Sequence, residues 1–134
     1  MKLVTISCFG IFVVLTPLHC RCNAFGSACP EIITRKEWNS RNVTTLEPSL
    51  RPSPYVIIHH SAGKECFDLE ECYSRVRGIQ DKHMDGRNWS DIGYNFLIGS
   101  DGRIYEGRGW GKIGAHARGW NTNSVGICFM GMFT

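Results

Sequence analysis

The sequence predicts an α/β fold: a mixed β-sheet flanked by helices. Three features carry that expectation. Tyr55-Val56-Ile57-Ile58-His59 is an unbroken β-branched and aromatic run, the pattern of a strand buried on both faces. Leu69, Cys72, Tyr73, Val76 and Ile79 recur every three or four residues, which gives one face of a helix. Ser124 to Met130 is a further apolar run and reads as another buried strand.

Taken in chain order, Lys2 is followed by an apolar stretch from Leu3 to Leu18 and then a polar segment. This is the form of a signal peptide over residues 1–24, cleaved after Ala24 or Cys20, and it predicts a secreted, extracellular protein. The run is short for a membrane span, so no membrane association is expected after cleavage. The whole chain carries +3 over 134 residues. Loss of residues 1–24 removes Lys2 and Arg21 and no acid, which leaves 13 cations against 12 acids and a charge of +1. So small and scattered a charge excludes a nucleic-acid partner. A composition of 43% hydrophobic and 20% charged residues excludes a disordered chain.

Residues 25–54 read as an irregular lead-in, because Pro30, Pro48, Pro52 and Pro54 discourage long elements. The helix from Leu69 is expected to end near Met84, before Asp85-Gly86. Tyr94–Ile98, a Gly99-Ser100-Asp101-Gly102 turn and Arg103–Glu106 form a β-hairpin pattern. Glu106-Gly107-Arg108-Gly109-Trp110-Gly111 is too glycine-rich for a core element and suggests a loop whose backbone approaches a ligand closely. It lacks the Lys-Ser/Thr ending of a phosphate-binding loop. Only one clear helix is available to cover an apolar sheet, and the chain ends four residues after Met130, so a C-terminally truncated domain is expected.

After signal removal Cys29, Cys66, Cys72 and Cys128 remain, and an oxidising compartment allows three pairings of the four. Cys66 and Cys72 are spaced to close a small loop at the helix start. Asn42-Val43-Thr44 and Asn88-Trp89-Ser90 are glycosylation sequons. Candidate chemistry gathers at His59 and His60, at the carboxyl end of the first long strand, where α/β sheets place ligand sites. Alternation points those two side chains to opposite faces. His83, Trp89, Tyr94 and His116 fall near other expected element ends.

Several longer phrases are more specific. Val56-Ile57-Ile58-His59-His60-Ser61-Ala62-Gly63, Trp89-Ser90-Asp91-Ile92-Gly93-Tyr94-Asn95-Phe96-Leu97-Ile98-Gly99 and Asp101-Gly102-Arg103-Ile104-Tyr105-Glu106-Gly107-Arg108-Gly109-Trp110 occur in this order. Gly114-Ala115-His116, Trp120-Asn121 and Ser124-Val125-Gly126-Ile127 follow. Over residues 29–132 the chain resembles the short secreted peptidoglycan recognition proteins, and its domain is expected over 29–134.

That resemblance implies a phage-amidase-like sheet whose groove binds the muramyl-peptide stem of bacterial peptidoglycan in innate immunity. It also implies, in catalytic members, zinc-dependent hydrolysis of the N-acetylmuramoyl-L-alanine amide. Zinc would lower the pKa of bound water and polarise the scissile carbonyl. Carried over residue by residue, His59 matches a zinc ligand and Tyr94 the tyrosine that assists the oxyanion. His60, Ser61, His83, Trp89, Tyr94, Arg108, His116 and Asn121 match substrate-binding positions, and Cys66 and Cys72 a disulfide. The family's other His and Cys zinc ligands belong to sequence beyond Thr134. Binding without catalysis is therefore the alternative expectation for these 134 residues. Trp89 and Arg108 match a diaminopimelate-type signature, while Asn88 stands where that signature has Gly.

Overall fold

The computed structural model describes residues 30–43, 45–49 and 52–133. The expected signal peptide and Cys29 lie outside them. Five strands form one sheet, in the spatial order β1 (Ile32–Ile33), β4 (Ile104–Glu106), β3 (Phe96–Ile98), β5 (Ser124–Phe129), β2 (Tyr55–His60). Only β3 and β4, the hairpin, run antiparallel; the other pairs are parallel. Among the described residues the expected mixed sheet is present, with one helix, α1 (Leu69–Arg87), and a 3-10 turn at Asn121–Asn123.

Local chemistry accounts for α1. Asp68 is extended and its carboxylate accepts from the Glu71 amide at 2.9 Å, while the Phe67 amide donates to the Glu71 carboxylate at 2.9 Å. One orphan donor of the first turn, the Glu71 amide, is satisfied this way, and so is the Phe67 amide just ahead of the cap. Glu70 and Glu71 also lie at the positive end of the helix dipole. The helix runs past the Met84 boundary expected from the sequence, through Asp85-Gly86 to Arg87. It stops where Asn88 adopts a left-handed conformation, φ 55°, with its amide on the His83 carbonyl. Apolar spacing fades before the backbone hydrogen bonds do, which is why periodicity placed the end too early.

The lead-in is more ordered than its prolines suggest. Ile32–Ile33 pairs with Ile104–Tyr105, and Trp38 is fully buried, its indole donating to the Glu106 carbonyl at 2.9 Å. On one sheet face Ile33, Tyr105, Leu97 and Cys128 pack with Cys72 and Val76 of α1. Cys66 and Cys72 form the expected disulfide at the helix start, and both are buried.

One expectation about the sheet needs correction. Tyr55–His60 is an edge strand, not one covered on both faces: Val56 and Ile58 are each 59% exposed. With Ile32, Phe129, Met132 and Phe133 they leave an apolar surface on and beside the face opposite α1. Such a face next to an open strand edge favours association. Ile58→Glu is therefore expected to reduce both dye binding to exposed apolar surface and concentration-dependent aggregation, with little change in melting temperature. Undiminished dye binding in the variant would show that this face is not the sticky surface.

Candidate functional site

The two sheet faces separate the adjacent histidines. His59 shares its face with Ser124, Gly126 and Cys128, because β2 and β5 are parallel and in register with His59 beside Cys128. His60 points the other way and accepts from the Phe133 amide at 3.0 Å. Ser61 is also drawn to the chain end, its hydroxyl accepting from the Gly131 amide at 3.0 Å. The structure thus does not bring His60 and Ser61 into the cluster around His59. An open pocket of about 480 Å³ lies beside this strand end, lined by Ile58, His59, His60, Phe129 and Phe133.

On the α1 side a chain of rings assembles. His59 Nε2 lies 2.9 Å from His116 Nδ1, and the Tyr94 ring centroid lies 5.5 Å from that of His59. His83 stands 5.6 Å from Tyr94 and 4.9 Å from Trp89. Gly126 leaves the space that His116 fills, since a Cβ there would collide with the imidazole. Asn121 fixes the loop carrying His116: its side-chain oxygen accepts from the His116 and Ala117 amides at 2.9 and 2.8 Å.

The electrostatics of the cluster are those of neutral groups. Burial lowers the His59 pKa. Burial and the neighbouring His59 bring His116 down to about 4. At neutral pH the 2.9 Å contact is therefore one imidazole donating to another. Burial, with the Cys128 thiol adding, pushes Tyr94 up to about 12, so its phenol keeps its proton. A partly exposed surface of neutral donors, acceptors and ring faces suits uncharged amides and apolar side chains.

Other predicted positions turn out to brace the site. His83 is 5% exposed and accepts from the Gly93 amide at 3.0 Å, which secures the turn leading to Tyr94. Arg108 donates through Nε to the Ile92 carbonyl and through Nη1 to the Ile113 carbonyl, both at 2.8 Å, and so ties two loops together. At Gly107 the glycine-rich loop approaches its own chain closely: a Cβ there would strike the Tyr94 carbonyl.

Sequence reasoning missed the polar residues that hold this loop. Asn95 is buried and donates to the carbonyls of Gly109 and Lys112, at 3.1 and 2.9 Å, while accepting from the Gly126 amide at 2.9 Å. Asp91 is wholly buried against Arg35 and Gln80. A polar residue inside an apolar phrase, as Asn95 is between Tyr94 and Phe96, was the available signal.

A zinc centre of catalytic type needs three protein ligands and a water. Among the described residues no three His, Cys, Asp or Glu side chains converge as a metal site. The His59 Nε2 is already paired with His116 Nδ1 at 2.9 Å. These residues do not fit the metal, and no catalytic step is derived through it.

A family described as N-acetylmuramoyl-L-alanine amidase matches residues 49–134. The chain belongs to that family. It is 47% identical over 107 residues to peptidoglycan-recognition protein 2 of Holotrichia diomphalia, covering 80% of this chain and 57% of the relative. Against peptidoglycan-recognition protein SC2 of Drosophila melanogaster the identity is 43% over 121 residues, covering 90% and 64%. The bumblebee PGRP-SA structure superposes with a TM-score of 0.76 at 50% identity, covering 78% of this chain and 63% of that one. Human PGRP-IBETAC, solved in complex with glycosamyl muramyl pentapeptide, also gives 0.76, at 43% identity over 79% of this chain and 64% of that one. This amidase-family chain thus spans somewhat under two thirds of the length of these relatives.

Proposed function

We propose that this chain is a secreted peptidoglycan-recognition module that binds the muramyl-peptide stem of bacterial cell wall, in an immune role. One observation carries the reading: His59, Tyr94 and His116, from three separate stretches of sequence, converge on one partly exposed patch of neutral polar rings, with Asn121 holding the His116 loop. The human relative solved with a muramyl pentapeptide supports the ligand class. Hydrolysis of the N-acetylmuramoyl-L-alanine amide is the second reading, favoured by the family match and by Tyr94 beside His59. For the 134 residues in hand we favour binding alone, since the described side chains do not assemble a zinc site. A diaminopimelate preference read by Arg108 is not part of the proposal, because two of its donors already hold backbone carbonyls.

Calorimetry with a soluble muramyl tripeptide tests this. The parent protein should bind, and His116→Ala should weaken binding about tenfold, equivalent to about 1.4 kcal/mol. After dialysis the protein should retain no stoichiometric zinc and release no peptide from the muramyl substrate. Peptide release by metal-loaded protein would establish the hydrolytic reading instead, and absence of binding would remove both.

A further inference from the structure

Strand β2 ends the sheet with no neighbour on its outer side among the described residues. Alternation decides which of its backbone groups are left open. The Ser61 amide, just past β2, donates to the Phe129 carbonyl at 2.9 Å and continues the parallel ladder with β5. Ile57 and His59, of the same parity, therefore turn their N–H and C=O groups toward β5. Val56, Ile58 and His60 turn theirs outward. Natural sheet edges are blunted by a lysine, a proline or a bulge, and Tyr55–His60 has none of these. The neighbouring strand Ser124–Phe129 is also uncharged, so a partner along this edge would bury no charge from either strand.

The edge is apolar and concave. Tyr55, Val56 and Ile58 are each more than half exposed, and the Phe129 and Phe133 rings lie beside them. These five side chains expose on the order of 500 Å², so two copies bring together roughly 1,000 Å², the least that a specific interface needs. His59 and His60 point to opposite faces, so the pocket they line with Ile58, Phe129 and Phe133 opens at the strand edge itself.

We propose that a second copy of this chain pairs antiparallel with β2 along this edge, forming a closed two-fold dimer centred on Ile58. Parity sets the register. Only outward-turned residues can exchange hydrogen bonds, so Ile58 faces Ile58 of the second copy and Val56 faces its His60, each pair exchanging both N–H···O bonds. Centring on Ile57 instead would set His60 against Pro54, which has no N–H to give. In the favoured register the second copy's Val56 enters the pocket beside His60. The two-fold axis stands perpendicular to the sheet, so both copies carry α1 and the His59 cluster on one common face. Growth stops at two, because the interface is self-complementary and β1, the other edge, has only two residues.

Sedimentation of the full chain tests this, and the parent should pass from monomer to dimer as concentration rises. Ile58→Lys sets like charges across the axis, and Ile58→Pro removes an outward amide, a change that an edge strand tolerates. Both variants should stay monomeric where the parent is dimeric, with unchanged far-UV circular dichroism. Cross-linking reads the register. Facing Cα atoms of a hydrogen-bonded pair lie about 5.5 Å apart, within disulfide reach, so Ile58→Cys should oxidise to a reducible covalent dimer beyond the parent's level. Val56→Cys, on the same face and equally exposed, would sit about 13 Å along the strand from its counterpart and should not. A parent that stays monomeric at its highest soluble concentration would overturn the dimer. So would an Ile58→Lys variant that associates as the parent does, or equal cross-linking of the two cysteine variants.

Discussion

Asp91→Ala is expected to lose about 3–5 kcal/mol of folding stability, enough to leave a domain of this size marginal. Asp91 is wholly buried, with Arg35 Nη1 and Nη2 at 2.9 and 3.2 Å and Gln80 Nε2 at 2.7 Å. Its carboxylate joins three segments: the lead-in after β1, the middle of α1, and the loop that delivers Tyr94. Removing it leaves a partly buried guanidinium without its counter-charge and the buried Gln80 amide with only a long 3.4 Å contact to the Arg41 carbonyl, and under-satisfied buried groups cost more than their hydrogen bond contributed. The contrasting substitution is Arg41→Ala, whose partners Asp81 and Asp85 are 53% and 65% exposed. Exposed pairs contribute about 0–1 kcal/mol, so that variant should stay close to the parent. Urea denaturation of both checks the pair of expectations. Similar midpoints for Asp91→Ala and Arg41→Ala would mean that the buried network is not what holds the lead-in.

The second large effect is a loss of stability in acid that belongs to His83. Burial, and then the nearby Arg87, Lys82 and Arg108, bring this imidazole from 6.5 down to about 4. A group whose folded pKa is depressed binds more protons in the unfolded chain between the two values, so stability rises with pH across that window. Read downward, the full contribution is present above pH 6.5, is lost progressively toward pH 4, and changes no further below it. The span corresponds to roughly 3 kcal/mol. Protonation would also turn the Nδ1 that accepts from the Gly93 amide into a donor. His83→Gln keeps an acceptor there but does not titrate. Its unfolding free energy should fall less steeply than the parent's between pH 6.5 and 4, and parallel curves would show that His83 is not the titrating group. His116 is shifted in the same direction, so the variant should retain part of the acid sensitivity.

Much of the site was legible as residue types but not as an arrangement. His59, Tyr94, His116 and Asn121 were singled out from the order of motifs, and the structure brings them together. His60 and Ser61 were singled out on the same grounds and lie apart from them. The reason is strand alternation, which places the neighbours of one motif on opposite faces of the sheet. Arg108 and His83 are side chains of the expected kind at the expected place, yet their hydrogen-bonding atoms hold backbone groups. A motif names the residue; whether its polar atoms face a ligand depends on what packs around them.

By itself the sequence determined the elements whose causes are local. The β-branched and aromatic runs became strands, the hairpin formed around its glycine turn, and the Asp68 cap with three-to-four spacing produced α1. Cys66 and Cys72, six residues apart, paired where expected. The tertiary structure alone decided that Ile32–Ile33 joins the sheet beside a strand about seventy residues later, and that Tyr55–His60 lies at an edge. It also decided that His59 meets His116 and that Asp91 meets Arg35. Periodicity and capping act within one or two turns of chain, whereas these pairings follow from strand order and from the need to satisfy every buried polar group.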